Sequence, residues 1–260
     1  MFSPMNTPIS NWVGQRIWLI GASSGIGAAL SQQALEAGAH VALSARRAEQ
    51  LRQVAQSHTK SHIVPFDVLD QSAWEPAYQS VRQCFGEVDL IIFCAAEYRP
   101  ERSWEISAAG AERTLQINLG SVYSGLATVL PDMLSRGTGG IAVIASVAGY
   151  LGLPNASVYG PSKAGLINLA EILYSDLHPK GLNVYLINPG FVKTELTAKN
   201  EFEMPALQTP QQAASAIWKG ISSGRFEIHF PWRFTQVLKL LQLLPYRLRF
   251  GLLNHLLKLS

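Results

Sequence analysis

The residues best suited to chemistry are a tyrosine and a lysine four positions apart, in Tyr159-Gly160-Pro161-Ser162-Lys163. Residues at that spacing share one helical face, so a phenol and an ammonium can enter the same cleft. A tyrosine ordinarily titrates at about 10, too high for efficient proton transfer at neutral pH. A neighbouring lysine cation is expected to stabilise the phenolate and lower that value; it can also hydrogen-bond a cofactor ribose. The same pattern arises by chance on exposed helices, so its company matters. Ser146 stands thirteen residues upstream, directly after an apolar run, where its hydroxyl could hold a substrate oxygen near the tyrosine. Asn118 interrupts a long helical pattern although asparagine is a poor helix former, which points to a buried hydrogen-bonding role.

A second group could bind phosphate. Gly21-Ala22-Ser23-Ser24-Gly25-Ile26-Gly27 follows an apolar run and opens a helical pattern. Glycines let the backbone turn tightly against a pyrophosphate, and the helix N-terminus offers N–H groups and a favourable dipole. The spacing is G-x-x-x-G-x-G rather than the commoner G-x-G-x-x-G, and an ordinary glycine turn is the alternative. The next apolar run ends in Ser44-Ala45-Arg46-Arg47. An acid there would bind a ribose 2′-hydroxyl, whereas arginine accommodates a 2′-phosphate. With no acid and two guanidiniums, NADP(H) is expected over NAD(H). Arg46 is the stronger candidate, and Arg47 is read as a solvated helix start. Further on, Asn188-Pro189-Gly190 makes a tight turn, with Thr194 four residues later.

Alternating elements must position these groups. Strand-like runs are expected at Arg16–Ile20, His40–Ser44, Ile63–Phe66, Asp89–Cys94, Gly140–Ala145 and Leu182–Ile187. Helices are expected between them, among them 71–85, a long one over 111–135 and one over 158–177. Strands alternating with helices imply a parallel sheet. Continuous apolar strands such as LIIF and IAVIA imply helices on both faces. Ligands then bind at the carboxyl ends of the strands, where each motif falls.

Composition sets the outer bounds. Of 260 residues, 48% are hydrophobic and 15% charged, enough for a large core and against disorder. Cys84 and Cys94 lack metal-type spacing and read as reduced structural thiols of a cytoplasmic protein. His40, His58, His62 and His178 show no ligand spacing, so no metal site is expected. The N-terminus does not read as a signal peptide, and no apolar run is long enough to span a membrane. The net charge is +3, but five of the 21 basic residues follow Glu227, after which there is no acid. The remaining 16 basic residues face 18 acids, which argues against a nucleic-acid-binding body.

Taken together, the motifs from Arg16 to about Gly224 resemble the short-chain dehydrogenase/reductase family. IASVAG resembles its serine segment, and the spacing from Ser146 to Tyr159 is the family's. Phe66-Asp67-Val68 resembles the segment whose aspartate contacts adenine, and PGFVKT resembles the nicotinamide-contacting turn. The resemblance implies an α/β, Rossmann-type doubly wound parallel sheet of about seven strands with helices on both faces. It implies an active site of Asn118, Ser146, Tyr159 and Lys163. It implies cofactor contacts from Gly21, Ser23, Ser24, Gly25, Ile26, Gly27, Arg46, Asp67, Val68, Cys94, Ala95, Ala96, Asn118, Tyr159, Lys163, Pro189, Gly190, Val192 and Thr194. Hydride would pass between nicotinamide C4 and a carbonyl or secondary alcohol carbon, with Tyr159 passing the proton, Ser146 orienting the oxygen and Asn118 supporting a water chain. A homodimer or homotetramer is implied too. Two departures stand out: Ile20 replaces a frequent threonine, and Phe93-Cys94-Ala95-Ala96 replaces Asn-Asn-Ala-Gly. That region is expected to be held by packing.

Residues 1–230 read as one domain, with a lid over about 191–209 in which Phe191, Leu196, Phe202 and Met204 favour a hydrophobic substrate. Residues 231–260 read as a basic amphipathic extension of two helices, resembling a bacterial-type branch of the family. On the first, Thr235, Gln236, Lys239 and Gln242 form a polar stripe; on the second, Arg247, Asn254, His255 and Lys258 oppose Leu248, Leu252, Leu256 and Leu259. Such helices can lie in a membrane interface, making the protein peripheral to the inner face of a membrane. The other reading, held slightly more strongly, packs their apolar faces on a partner subunit or the substrate cleft. Two rival functions remain: a cofactor-binding sensor or scaffold, and a peripheral membrane adaptor.

Overall fold

The computed structural model describes residues 3–200 and 203–256, with side chains described as far as Leu253. The strands are β1 (Arg16–Ile20), β2 (His40–Ser44), β3 (Ser61–Ile63), β4 (Leu90–Phe93), β5 (Gly139–Ile144), β6 (Leu182–Pro189) and β7 (Glu227–Phe230). They form one sheet in the order β3-β2-β1-β4-β5-β6-β7, and every neighbouring pair is parallel. The helices are α1 (Gly25–Glu36), α2 (Ala48–Ala55), α3 (Trp74–Phe85), α4 (Ala108–Leu115), α5 (Ser121–Arg136), α6 (Tyr159–Leu177), α7 (Pro210–Ser222), α8 (Trp232–Gln242) and α9 (Tyr246–Leu256).

Strand side chains alternate between faces, and here both faces are covered. Trp18, Ile20, Ile91, Phe93, Ile141 and Val143 join residues of α3, α5 and α6 in one core cluster. Ile17, Leu19, Leu90, Ile92, Ala142 and Ile144 join residues of α1, α2 and α7 in the other. This explains the continuous apolar strands and gives the doubly wound α/β architecture. Trp18 anchors the first cluster, stacking on Tyr78 at 5.7 Å while its indole N–H donates to Ser44 Oγ at 2.9 Å.

Because β1 lies between β2 and β4, the strand order reverses beside it. A crevice opens at the carboxyl ends of strands at such a point. The β1–α1 and β4 turns meet there closely. A Cβ placed on Gly21 would lie 2.5 Å from Ala95 N, and Cys94 N–H donates to Ile20 O at 2.8 Å. Backbone pairing and close packing therefore hold the region around the altered Phe93–Ala96 turn.

Four local features differ from the pattern expected from sequence. β3 ends at Ile63, before the expected Phe66, where the ring of Pro65 holds φ at about −65°, off the roughly −120° of a parallel strand. Val64 and Phe66 still donate to Leu43 O and Ala45 O at 3.0 and 3.2 Å. The long helix over 111–135 is divided: a π turn over Gln116–Gly120 joins α4 to α5. α7 and β7 add a helix and a seventh strand that the sequence reading did not locate. On α8 part of the polar stripe, Thr235 and Lys239, turns inward together with Leu238 and Leu241, while Gln242 is exposed. Thr235 is fully buried and its hydroxyl lies 2.6 Å from His229 Nδ1, and Lys239 pairs with Glu227. The cause is the half-buried Glu227 carboxylate, which also accepts from Tyr150 at 2.6 Å and from Asn188 at 2.9 Å. Leu238, Leu241 and Leu253 pack on Val147, Tyr150 and Leu151, so part of the extension lies against the segment that begins at Ser146. The expectations for the Phe202, Lys258 and Leu259 residues, and for the Asn254, His255 and Leu256 side chains, lie outside what is described.

Candidate active site

The crevice holds a cavity of about 490 Å³. At one end is the β1–α1 turn. Gly21 has φ +93° and Gly25 φ +56°, left-handed values that favour glycine. A Cβ on Gly27 would lie 2.1 Å from Gly21 O, so the turn tolerates no side chain there. Ser24 precedes α1 without making a side-chain cap bond, so its hydroxyl does not satisfy the orphan donors of the first turn. Gly21, Ser23, Ser24, Gly25 and Ile26 line the cavity. Gly27 stands behind them, and its N–H interacts with the Cys94 thiol.

Arg46 and Arg47 also line this end. Arg47, expected to be a solvated helix start, reaches over the turn instead: its guanidinium lies 3.5 Å from Ser23 Oγ and Ser24 Oγ and 3.6 Å from Glu195. Both arginines are exposed at the cavity edge. Asp67, Val68, Cys94, Ala95 and Ala96 form the adjoining wall, and burial pushes the Cys94 thiol up to about 11. Across the cavity, Pro189, Gly190, Val192 and Thr194 supply the turn after β6. Thr197 secures it, accepting from Thr194 N–H at 2.9 Å and donating to Val192 O at 2.6 Å.

Ser146, Tyr159 and Lys163 meet at the floor. Ser146 follows β5, and its Oγ accepts from Ala148 N–H at 3.1 Å. Tyr159 opens α6, which carries Lys163 one turn later. Lys163 is buried, donates to Ile144 O at 2.9 Å and lies 5.4 Å from the Tyr159 ring centre. The expected lowering of the tyrosine is not what this arrangement gives. Burial dominates and pushes the phenol up to about 12, against a hydrogen bond with Ser146 that lowers it. Burial likewise pushes Lys163 down to about 8. The phenol is therefore protonated at neutral pH.

Asn118 lies in the π turn, a distortion frequent at functional sites. It is buried but is not among the cavity-lining residues. Its Oδ1 accepts from Glu97 N–H at 2.7 Å, and its Nδ2 donates to Glu97 O and Ser162 Oγ, each at 3.0 Å. It thus ties the segment after β4 to α6. That segment carries a residue absent from the sequence reading: Tyr98, whose ring meets Tyr159 edge-on at 4.9 Å. The Tyr98 hydroxyl donates to Asn200 Oδ1 at 2.9 Å, and Lys199 Nζ donates to Tyr98 O at 2.9 Å. Residues 199 and 200 are thereby held to the active-site wall, and only this three-dimensional pairing identifies them.

A glycine turn at a helix N-terminus, two arginines beside it and a Tyr–Lys pair at the far end fit an extended dinucleotide. Among the described residues, no group of three histidine, cysteine or acidic side chains could hold a metal.

Comparison with known proteins agrees with this geometry. Residues 15–204 match the family model described as short chain dehydrogenase. The chain is 31% identical over 229 residues to an uncharacterized oxidoreductase of Myxococcus xanthus, covering 86% of this chain and 90% of the relative. It is 30% identical over 224 residues to a 2-dehydro-3-deoxy-L-rhamnonate dehydrogenase (NAD(+)) of Sphingomonas sp., covering 85% and 86%. In fold it is similar to a short-chain dehydrogenase from Streptomyces avermitilis, with a TM-score of 0.76, 23% identity and coverage of 87% and 92%. With the sheet order, the glycine turn and the Ser–Tyr–Lys floor on one crevice, these matches make the chain a member of the short-chain dehydrogenase family, oxidoreductases that use a nicotinamide cofactor.

Proposed function

We propose that the protein is an NADP(H)-dependent oxidoreductase interconverting a carbonyl and a secondary alcohol, with Tyr159 as the proton-transfer residue. The observation that carries this is the placement of Tyr159 beside Ser146 and Lys163 in the same cavity as the glycine turn. The cofactor, when bound, supplies or accepts the hydride. Ser146 orients the substrate oxygen and Tyr159 holds the proton that oxygen receives. Lys163 is the cation nearest the phenol and, with the residues of the turn after β6, holds the nicotinamide end.

Two guanidiniums and no acid in the Ser44-Ala45-Arg46-Arg47 turn that ends β2 support NADP(H), a reading that departs from the NAD(+) in the name of the Sphingomonas relative. Leu196, a lid residue in the cavity lining, supports a hydrophobic carbonyl substrate. The test is NADPH oxidation against panels of ketones, aldehydes and 3-oxoacyl compounds. Turnover is expected with apolar carbonyls, and a cofactor-binding protein inactive on every class would favour the sensor reading.

A homo-oligomer is supported by Leu115, Tyr123 and Ile172, exposed apolar residues of α4, α5 and α6. Light scattering is expected to give a dimer or tetramer; a monomer at micromolar concentration would contradict it.

A further inference from the structure

α8 and α9 present a face that hydride transfer does not use. Trp232, Leu240 and Leu243 are 65%, 62% and 81% exposed, and Val237, Tyr246, Leu248, Phe250 and Leu252 are exposed as well. Scattered exposed apolar residues are ordinary. Eight within residues 232–252, with Thr235 and Lys239 of α8 turned inward, are not. The arrangement is firmly held. Lys239 is tied to Glu227, Arg249 caps α8 through Leu241 O and Leu244 O at 3.2 and 3.1 Å, and Leu238, Leu241 and Leu253 are buried.

Charge decides what this face meets. No acid follows Glu227, and Glu227 is already engaged by Lys239, Tyr150 and Asn188. Arg233 and Arg247 are exposed and make no ion pair among the described residues. A second copy bringing the same face would set arginines against arginines with no acid in the tail to offset them. An anionic lipid surface offers the opposite charge, apolar depth for leucine and phenylalanine, and a headgroup layer suited to tryptophan and tyrosine. No helix among the described residues is long and apolar enough to cross a bilayer. We propose that α8 and α9 dock the protein on an anionic lipid surface, apolar face inward, without crossing it. Phe234 of α8 meets Phe191, at the start of the segment that borders the cavity, at 5.8 Å. The docking helix therefore touches the lid.

Vesicle flotation of the full chain tests this. Vesicles of phosphatidylcholine with about 30 mol% phosphatidylglycerol are expected to carry the protein upward, and about 0.5 M NaCl or phosphatidylcholine alone to release it. In L240E/L243E, flotation is expected to fall at least about tenfold, with melting temperature and oligomeric state unchanged. Should that variant not fold, R233E/R247E serves: at about fivefold per cation removed, vesicle partitioning drops roughly 25-fold or more. The proposal is overturned if wild type fails to float with anionic vesicles or floats equally with neutral ones. It is also overturned if R233E/R247E floats like wild type, or if L240E/L243E loses oligomers, which would assign the face to a second copy. None of these readouts uses activity, so failure here leaves the proposed reaction standing.

Discussion

Ser146, Tyr159 and Lys163 could be read from type and spacing because a helix places residues four apart on one face and the serine closes a strand. What spacing could not give was their ionisation. The pair was expected to yield an acidic phenol; burial instead raises the phenol and lowers the ammonium, since removing a charge from water outweighs a neighbour not bonded to the phenol. Arg47 was set aside as a helix start, and its reach over Ser23 and Ser24 appears only once the β1 and β2 turns lie side by side. The residue-scale prediction follows from that pair. R46A/R47A is expected to weaken NADPH binding about 10- to 100-fold, the loss of charge-assisted bonds to one phosphate, while NADH binding changes little. Titration calorimetry with both cofactors checks this, and equal losses for the two would refute the 2′-phosphate assignment.

At the scale of elements, the strands and most helices were legible because burial on both sheet faces leaves uninterrupted apolar runs. The break between α4 and α5 was not. Asn118 marked it, but a π turn has no periodicity of its own, and the residue's role rests on Glu97 and Ser162, far away in sequence. β7 was hidden for a different reason: its burial alternates, and Glu227 and His229 face a polar network. The junction of β1 with β4 gives the element-scale prediction. Gly21→Ala must force a Cβ to 2.5 Å from Ala95 N at a φ of +93°. A destabilisation of about 1–3 kcal/mol is expected, seen as a lower Tm together with weaker NADPH binding. An unchanged Tm would mean that the two turns are not locked together.

For the whole molecule, the class of fold was evident from alternation, whereas the orientation of the tail was not. A helical stripe identifies which residues share a face, but Glu227 decided which face turns inward. Partly buried histidines at the two edges of the sheet set a pH dependence. His229 and His62 titrate below their ordinary 6.5, chiefly because burial penalises the cation. The unfolded chain therefore binds protons more readily, and stability is lost as pH falls from about 6.5 through the folded-state values. Glu227, held below its ordinary 4.5 by Lys239 and Tyr150 against the cost of burial, adds a further loss at lower pH still. Denaturant unfolding from pH 8 to pH 4 is expected to show declining stability below about pH 6.5. A flat profile to pH 5 would contradict the burial of neutral histidines.

The claim on which the rest depends is that Tyr159 passes the proton. Its most direct test is Tyr159→Phe, assayed for NADPH oxidation with a carbonyl the wild type reduces, alongside NADPH binding by fluorescence. The substitution removes one hydroxyl and keeps the ring that meets Tyr98. Turnover is expected to fall by about 10²- to 10⁴-fold with NADPH affinity little changed; turnover equal to wild type would contradict the account.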